Sequence, residues 1–343
     1  MRSARYLRDG RFEVRDDTTT APAPGDVRIR VSYVGICGTD LHIKHGAMDA
    51  RVPDEAIIGH EMSGTIESIG EGVEGWTVGQ SVTVMPLDWD GTCPACLAGN
   101  THICQNLSFV GVDSAGALQE LWNVPAELLV ALPDGMSLRD AALVEPVAVA
   151  VHDVRRSGLA AGDRAVVIGG GPIGVLIATA ARRFGGDVVL LEVDPGRRAA
   201  AETLGLAALD PRDTATTTHL DEWTGGAGAD VVFEVSGAAA AVLGATGYAK
   251  VRGTLVIVAI HPEPRPIDLH RVFWRELTIL GARVYQRPDY ETAINLIADG
   301  DIPVDELVSH VVPLDRIGEA FDALESGGAM KVLVAVDEAG AAA

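Results

Sequence analysis

The 343-residue chain lacks the features that mark secreted, membrane and heavily cross-linked proteins. It contains only four cysteines and 5% aromatic residues, and because three of the four cysteines are clustered, they suit a reducing compartment better than a disulfide framework. Its longest apolar runs, such as residues 254–260, are far shorter than the roughly 20 residues of a membrane-spanning helix. Residues 1–5 lead into no apolar signal core. We therefore expect a cytoplasmic protein with no membrane role.

Positive charge is also scarce. The chain carries 48 acidic and 27 basic residues, a net charge of −21, and its only lysines are Lys44, Lys250 and Lys331. Such a surface repels phosphate backbones and anionic lipids, which argues against nucleic-acid and membrane partners. We interpret the replacement of lysine by arginine as compositional bias without functional meaning. The remaining composition, 48% apolar and 22% charged, is typical of a soluble globular protein, and the length predicts two domains.

Three of the four cysteines lie together on one loop, at Cys93, Cys96 and Cys104. In a reducing compartment such a cluster indicates metal ligation, and a structural zinc takes four protein ligands. The fourth ligand is expected to be Asp90, three residues before Cys93, with His102 as the alternative. Three reduced thiols without a metal are the other interpretation.

A second group of metal-binding residue types lies in residues 35–42 and 59–61. Cys37, His60 and Glu61 offer a thiolate, an imidazole and a carboxylate, and a catalytic zinc requires three protein ligands and an open position. The alternative is a buried cysteine and a satisfied polar pair. Glu145 lies within the apolar stretch 141–152, where a carboxylate is rare unless it is paired or binds a metal. The alternative is that Glu145 is a partly exposed residue at the start of a helix.

The first third of the chain has regularly spaced, strand-like runs separated by turn signals. Strands are predicted at residues 6–14, 27–34, 64–69 and 80–85, a pattern typical of a small β-barrel-like domain. From residue 164 the pattern changes to alternating strands and helices, typical of a parallel sheet whose strands are buried on both faces. The predicted elements are strands at 164–168, 187–191, 229–235, 253–260 and 277–280 and a helix at 175–184. Beyond residue 285 we expect helices at 290–298 and 317–324, a segment of unassigned type at 307–312, a final strand at 331–336, and frayed residues at 337–343.

The residues between the first strand and first helix of this alternating region form a dinucleotide-binding motif. Gly169, Gly171 and Gly174 permit a tight turn, close approach of a pyrophosphate and close helix packing, and Pro172 and Ile173 complete the motif. Glu192, 21 residues beyond Gly171, ends the second strand and would accept hydrogen bonds from the adenosine ribose. That position favours NAD over NADP. Arg197 and Arg198 follow closely in the sequence, and their positive charges would weaken that preference for NAD.

Taken in order, these motifs resemble those of the zinc-dependent medium-chain dehydrogenase family (alcohol dehydrogenase superfamily), over residues 5–336. The most similar branch contains sorbitol, butanediol and threonine dehydrogenases. The resemblance implies an α/β protein with a GroES-like β-barrel catalytic domain at residues 1–150, completed by residues 288–343. A Rossmann doubly wound parallel-sheet domain at residues 151–287 would bind the cofactor.

The resemblance also implies roles for individual residues. Cys37 and His60 would bind the catalytic zinc, and Glu61 and Glu145 would complete or alternate in its coordination. Thr39 matches the hydroxyl that contacts the substrate alcohol, and His42 matches the outer histidine of the proton relay. Asp40 would fix the orientation of a ligating histidine. Most relatives have a cysteine where this chain has Asp90, so the expected structural zinc site is formed by one aspartate and three cysteines.

The predicted function is hydride transfer from a secondary alcohol, such as a polyol, sugar alcohol, cyclitol or vicinal diol, to NAD. The predicted cofactors are NAD, one catalytic zinc and one structural zinc per chain, and relatives suggest a homo-oligomer, either a dimer or a tetramer. An L-threonine or amino-alcohol dehydrogenase is an alternative. A relative that binds NAD without turnover, as a structural or regulatory protein, is the non-enzyme alternative.

Overall fold

The computed structural model describes residues 1–337, so residues 338–343 of the tail expected to fray lie outside the described residues. The chain divides into two compact units. The first contains Met1–Glu145, Gln286–Gly300 and the chain from Leu307 onward, and the second contains Pro146–Tyr285 and Asp301–Glu306. The first unit is therefore built from segments that lie far apart in the sequence.

Residues 1–141 form short strands and helices. They are β1 (Arg2–Tyr6), β2 (Phe12–Asp16), β3 (Asp26–Gly35), α1 (Gly38–Lys44), β4 (Glu61–Ile69), β5 (Ser81–Val84), β6 (Leu87–Asp88), α2 (Pro94–Leu97), β7 (Ser108–Phe109), β8 (Leu121–Pro125), β9 (Leu129–Ala131) and α3 (Leu138–Ala141). The strands predicted at 27–34, 64–69 and 80–85 are confirmed. The single strand predicted at 6–14 is wrong, because β1 and β2 pair antiparallel around a turn. Gly10 has a φ of 83° in that turn, which glycine adopts without a steric penalty.

Residues 144–281 alternate between helices and strands. They are α4 (Val144–Ser157), β10 (Arg164–Ile168), α5 (Pro172–Arg183), β11 (Asp187–Leu191), α6 (Pro195–Thr203), β12 (Ala207–Leu209), α7 (Thr214–Thr224), β13 (Ala229–Glu234), α8 (Ala239–Ala245), β14 (Ala249–Ile257), α9 (Leu269–Arg275) and β15 (Thr278–Gly281). The six strands form one parallel sheet in the order β12-β11-β10-β13-β14-β15. The strand order reverses beside β10, which is the doubly wound arrangement predicted for this region.

Burial follows position in this sheet. Strands β10 and β11 are buried over four of their five residues, and β13 over five of its six, as continuous apolar runs predict. The expectation that residues 277–280 are buried on both faces is wrong. Strand β15 is mostly exposed because it lies at the edge of the sheet and has only β14 as a neighbour.

Apart from Asp301–Glu306, which belong to the second unit, the last part of the chain returns to the first unit. Its elements are α10 (Arg287–Ala298), α11 (Val304–Leu307), β16 (Val308–Pro313), α12 (Ile317–Glu325) and β17 (Lys331–Ala335), so the predicted helices and final strand are confirmed. Strand β17 pairs antiparallel with β3 and parallel with β16. The end of the chain thereby lies beside the segment that leads into Cys37.

The larger sheet of the first unit has seven strands in the order β16-β17-β3-β4-β5-β9, with β8 also on β3. The first half of β3 pairs with β8 and its second half with β17. Val27, Ile29 and Val31 alternate into the core and are fully buried, as the period-two pattern predicts. Among residues 1–337, no helix combines the length and apolarity that crossing a membrane requires.

Candidate active site

Cys37 lies where a strand turns into a helix. Strand β3 ends at Gly35, α1 begins at Gly38, and Cys37 is the residue immediately before the helix. The backbone N–H of Cys37 donates a 2.9 Å hydrogen bond to Oδ2 of Asp40. Asp40 thus fixes the backbone that carries the thiol.

His60 and Glu61 approach Cys37 because strand β4 begins beside the end of β3. Glu61 pairs with Gly35 across the two strands, and a Cβ at position 35 would overlap the Glu61 carboxylate. Gly59 has a φ of 102° and thereby turns the chain before His60. One ligand atom from each of Cys37, His60 and Glu61 lies within 4.8 Å of the others.

The donor set and its electrostatics fit a bound cation. His60 and Asp40 are buried, His60 Nδ1 lies 3.8 Å from Asp40 Oδ1, and neither atom has a hydrogen bond. Burial opposes a charged imidazole, but the negative charges of Asp40 and Cys37 outweigh it and raise the pKa of His60 to about 10. Burial also raises the pKa of Asp40. A half-buried cysteine with a buried imidazole and a buried carboxylate, beside the further carboxylate of Asp40, suits zinc.

Glu145 is buried in the first turn of α4, so the interpretation of a partly exposed helix start is wrong. It does not belong to the group of three mutually close ligand atoms. Its negative charge nevertheless contributes to the raised pKa of His60. Glu145 is therefore electrostatically coupled to the cluster without being part of it.

Lys331, at the start of β17, belongs to this site although it is absent from the predicted motifs. Its side chain is 7% exposed and forms an ion pair with Glu61, which is 1% exposed, and its Nζ donates a 3.2 Å hydrogen bond to the Ile36 carbonyl. Burial opposes the charge of Lys331, but Glu61 and Cys37 outweigh it and raise the pKa of its ammonium group. The sequence offered one indication of this role: Lys331 is one of only three lysines and lies directly before an apolar run.

Thr39 and His42 both lie on α1, three residues apart, and so share one face of the helix. Thr39 is half-buried and His42 is exposed. This gradient from the half-buried hydroxyl to the exposed imidazole is what a proton route to solvent requires.

The cysteine loop brings together the four residues expected to bind a structural zinc. Ligand atoms of Asp90, Cys93, Cys96 and Cys104 lie within 4.8 Å of one another, and His102 is not part of the group. Backbone N–H groups of Cys96 and Gln105 each lie 3.4 Å from Cys93 Sγ and lower the pKa of that thiol. The N–H of Cys93 and the amide of Asn106 hold the pKa of Asp90 well below its usual range. Three sulfurs and an ionised carboxylate fit a tetrahedral zinc.

The dinucleotide motif forms the predicted turn between β10 and α5. A side chain at Gly174 would overlap the Gly169 carbonyl oxygen, and Gly169 has a φ of 110°. A Cβ at Gly171 would meet only the Arg197 guanidinium, 4.0 Å away. Pro172 and Ile173 open helix α5, so its first N–H groups are available to an anion beside Gly171. This cradle fits a pyrophosphate.

Glu192 follows β11 and is buried. Its carboxylate accepts hydrogen bonds from the backbone N–H groups of Gly170, at 2.7 Å, and Asp194, at 2.8 Å. Arg198 donates to the Glu192 carbonyl and pairs with Asp210. The acid is thus fixed beside the glycine turn.

Two family models match long segments of this chain. The family model described as "Alcohol dehydrogenase GroES-like domain" matches residues 23–134. The model described as "Zinc-binding dehydrogenase" matches residues 172–299. Together they cover more than half of the chain.

Individual relatives match along nearly the whole chain. A 2-dehydro-3-deoxy-L-galactonate 5-dehydrogenase of Pseudoalteromonas atlantica is 51% identical over 97% of this chain and 98% of its own. The crystal structure of 2R,3R-butanediol dehydrogenase from Bacillus subtilis has a TM-score of 0.89 at 32% identity, over 98% of this chain and 99% of its own. A Sinorhizobium meliloti protein described as a zinc-binding dehydrogenase, solved with NADP, has a TM-score of 0.90 at 31% identity, over 98% and 99% of the two chains.

Proposed function

This chain belongs to the zinc-dependent medium-chain dehydrogenase family, and from that premise we propose that it oxidises a secondary hydroxyl of a polyhydroxylated substrate with NAD. The observation that carries the proposal is the convergence of Cys37, His60 and Glu61 within 4.8 Å. A family member that had lost catalytic activity would not need to retain this ligand set together with Thr39 and His42.

The substrate class follows from the most similar relative named above. That protein is named for dehydrogenation at position 5 of 2-dehydro-3-deoxy-L-galactonate, where a hexonate carries a secondary hydroxyl. We propose a 2-dehydro-3-deoxy aldonate, or a closely related sugar acid or polyol, as the substrate. Identity of 51% over 97% of the chain favours this class over L-threonine.

The residues divide the chemistry between them. Cys37, His60 and Glu61 would hold the zinc, which when bound polarises the substrate hydroxyl and lowers its pKa. Thr39 Oγ1 accepts the hydroxyl proton as its own proton moves on toward His42, and the exposed imidazole of His42 releases one proton to solvent. A nicotinamide cofactor held by the Gly169–Gly174 turn would supply the hydride acceptor. Glu145 contributes negative charge near the cluster, as its effect on the pKa of His60 indicates.

We propose NAD as the preferred cofactor because of Glu192. A 2′-phosphate in place of the adenosine 2′-hydroxyl would face this buried carboxylate, which the backbone holds in place. Arg198 pairs with Asp210, and Arg197 lies over Gly171 at the pyrophosphate cradle. Substituting Glu192→Ala should therefore raise the NADP/NAD ratio of kcat/KM, and an unchanged ratio would contradict this proposal.

We also propose a homo-oligomer in a cytoplasmic compartment. Strand β15 is an edge strand, and α9 beside it exposes Leu269, Phe273 and Trp274, each by about two thirds or more. An edge strand can pair antiparallel with its own copy about a two-fold axis, which covers both features at once. Trp274→Asp should lower the molar mass measured by sedimentation to that of a smaller species. An unchanged mass would reject this surface.

The activity test is NAD(P)H formation by zinc-loaded protein. The panel contains 2-dehydro-3-deoxy-L-galactonate, sorbitol, a cyclitol, 2,3-butanediol and L-threonine, each with NAD or NADP and with or without a chelator. We expect chelator-sensitive turnover of a polyhydroxylated substrate. Cys37→Ala should abolish turnover and leave the Kd for NADH unchanged, because the nucleotide motif lies in the other unit.

The outcomes separate the alternatives. Turnover of L-threonine alone would replace the sugar-acid proposal. Zinc and NADH binding without turnover on any substrate would favour the structural or regulatory relative. An active Cys37→Ala enzyme would refute the assigned zinc ligand.

A further inference from the structure

Two titratable side chains outside the predicted motifs meet at one edge of the parallel sheet. Glu234 is the last residue of β13, and His261 follows β14, the neighbouring strand. Glu234 Oε2 and His261 Nε2 lie 3.4 Å apart. Parallel strands end at the same edge, and ligands of doubly wound sheets bind at the carboxyl ends of the strands.

Glu234 is fully buried, and only one of its two carboxylate oxygens accepts hydrogen bonds among the described residues. Its Oε1 accepts three hydrogen bonds, from Ser236 N at 3.1 Å, Ser236 Oγ at 2.7 Å and Gly237 N at 3.0 Å. Its Oε2 is buried and has no hydrogen bond among the described residues. A buried carboxylate oxygen without a donor is costly, so a partner is expected.

His261 likewise has buried polar atoms that form no hydrogen bond among the described residues. Its side chain is 18% exposed, and both Nδ1 and Nε2 are buried without a hydrogen bond in the described chain. The imidazole can give only one nitrogen to Glu234. The other nitrogen is left for a further partner.

The pair lies beside the glycine turn that cradles the pyrophosphate. The N–H of Val235 donates to the Ile168 carbonyl at 3.0 Å, and a Cβ at Gly169 would lie 3.0 Å from the backbone N of Ser236. The N–H of Ala259, two residues before His261, donates to the Glu234 carbonyl at 3.1 Å. The loops after β13 and β14 are therefore fixed to the start of the nucleotide motif.

The two halves of the sheet take different halves of a dinucleotide. Glu192, at the end of β11, lies on the side of β10 that takes adenosine, and β13 and β14 lie on the opposite side. The side of β13 and β14 is thus left for the nicotinamide riboside. That group carries ribose hydroxyls and a carboxamide, which can donate to and accept from an imidazole and a carboxylate.

We propose that Glu234 and His261 form a polar pair that binds and orients the nicotinamide riboside half of the cofactor. The inference deepens the proposed function and rests on it. Glu234 Oε2 holds one ring nitrogen of His261, and the other ring nitrogen hydrogen-bonds the riboside. The carboxylate thereby acts through the imidazole as a positioning residue.

The test measures binding of NADH, by its fluorescence, and of AMP, which has only the adenosine half, by displacement of NADH. Glu234→Gln and His261→Phe should each weaken NADH binding about 10-fold, as expected for loss of one hydrogen bond to a buried polar group. AMP binding should stay within about two-fold, the scatter expected of a substitution that makes no contact with the ligand. His261→Gln, whose amide replaces one ring nitrogen, should recover part of the NADH affinity. Glu263→Gln and His219→Phe, at exposed positions, are the matched controls and should bind like the wild type.

The results distinguish this inference from the proposed function. Unchanged NADH affinity in both variants, in a protein that binds NADH, would overturn only the pair's role. Equal losses for NADH and AMP together with a lower Tm would also overturn it, because they indicate a loop-stabilising role. A wild-type chain that binds neither NADH nor NADPH would overturn the proposed cofactor itself.

Discussion

The ion pair between Lys331 and Glu61 gives the sharpest stability prediction. The two side chains are 7% and 1% exposed, so removing one leaves a buried charge without its partner. That loss costs about 3–5 kcal/mol in other buried pairs. In chelated, metal-free protein, Lys331→Met should lower the free energy of unfolding by about this amount, also because the Ile36 carbonyl loses a donor.

Zinc should reverse part of that loss. Without Lys331, Glu61 is no longer paired, and the cluster of Cys37, His60 and Glu61 faces one positive charge fewer. Lys331→Met should therefore bind zinc more tightly than the wild type in competition with a chromophoric chelator. The free energy of unfolding would come from urea titrations followed by circular dichroism, with and without zinc.

Two further variants make this prediction refutable. Lys44→Met removes a lysine of the same unit whose partners Asp322 and Glu325 are 77% and 31% exposed. It should cost only about 0.2–1 kcal/mol, because water can solvate the carboxylates that it leaves. The double variant Lys331→Met with Glu61→Gln should recover part of the lost stability, since neither charge of this pair is then left buried without its partner. If Lys331→Met costs no more than Lys44→Met, the reasoning fails.

Three other predictions address the remaining parts of the chain. Gly174→Ala should weaken NADH binding at least about 10-fold, because the added methyl overlaps the Gly169 carbonyl oxygen; fluorescence titration measures this, and wild-type affinity would contradict it. Asp90→Ala should lower zinc content from two ions per chain to one, measured by mass spectrometry; two retained ions would exclude Asp90 as a ligand. Burial and the hydrogen bond to Asp49 raise the pKa of Tyr6 to about 12. The stability from its neutral hydroxyl should therefore be complete below about pH 10 and lost toward pH 12, and urea titrations of Tyr6→Phe should lack this loss.

Local patterns in the sequence account for most of the fold. The strands β10 and β11 have the predicted bounds, because a continuous apolar run bounded by a glycine motif and an acid has one stable arrangement. The error at residues 6–14 arose because the Asp9-Gly10 turn signal, which separates β1 from β2, was interpreted as part of one strand. The error at β15 arose because an apolar strand does not reveal whether it lies at the centre or the edge of a sheet.

The sequence by itself determined the ligand types, the nucleotide motif and the family, because these depend on residues that lie close together in the chain. Tertiary structure decided what depends on distant segments. Strand β17 pairs with β3 and thereby brings Lys331 to Glu61, some 270 residues apart in the sequence. The parallel register of β13 and β14 likewise brings Glu234 to His261. Such contacts are set by the sheet that pairs two strands, and neither strand carries that information alone.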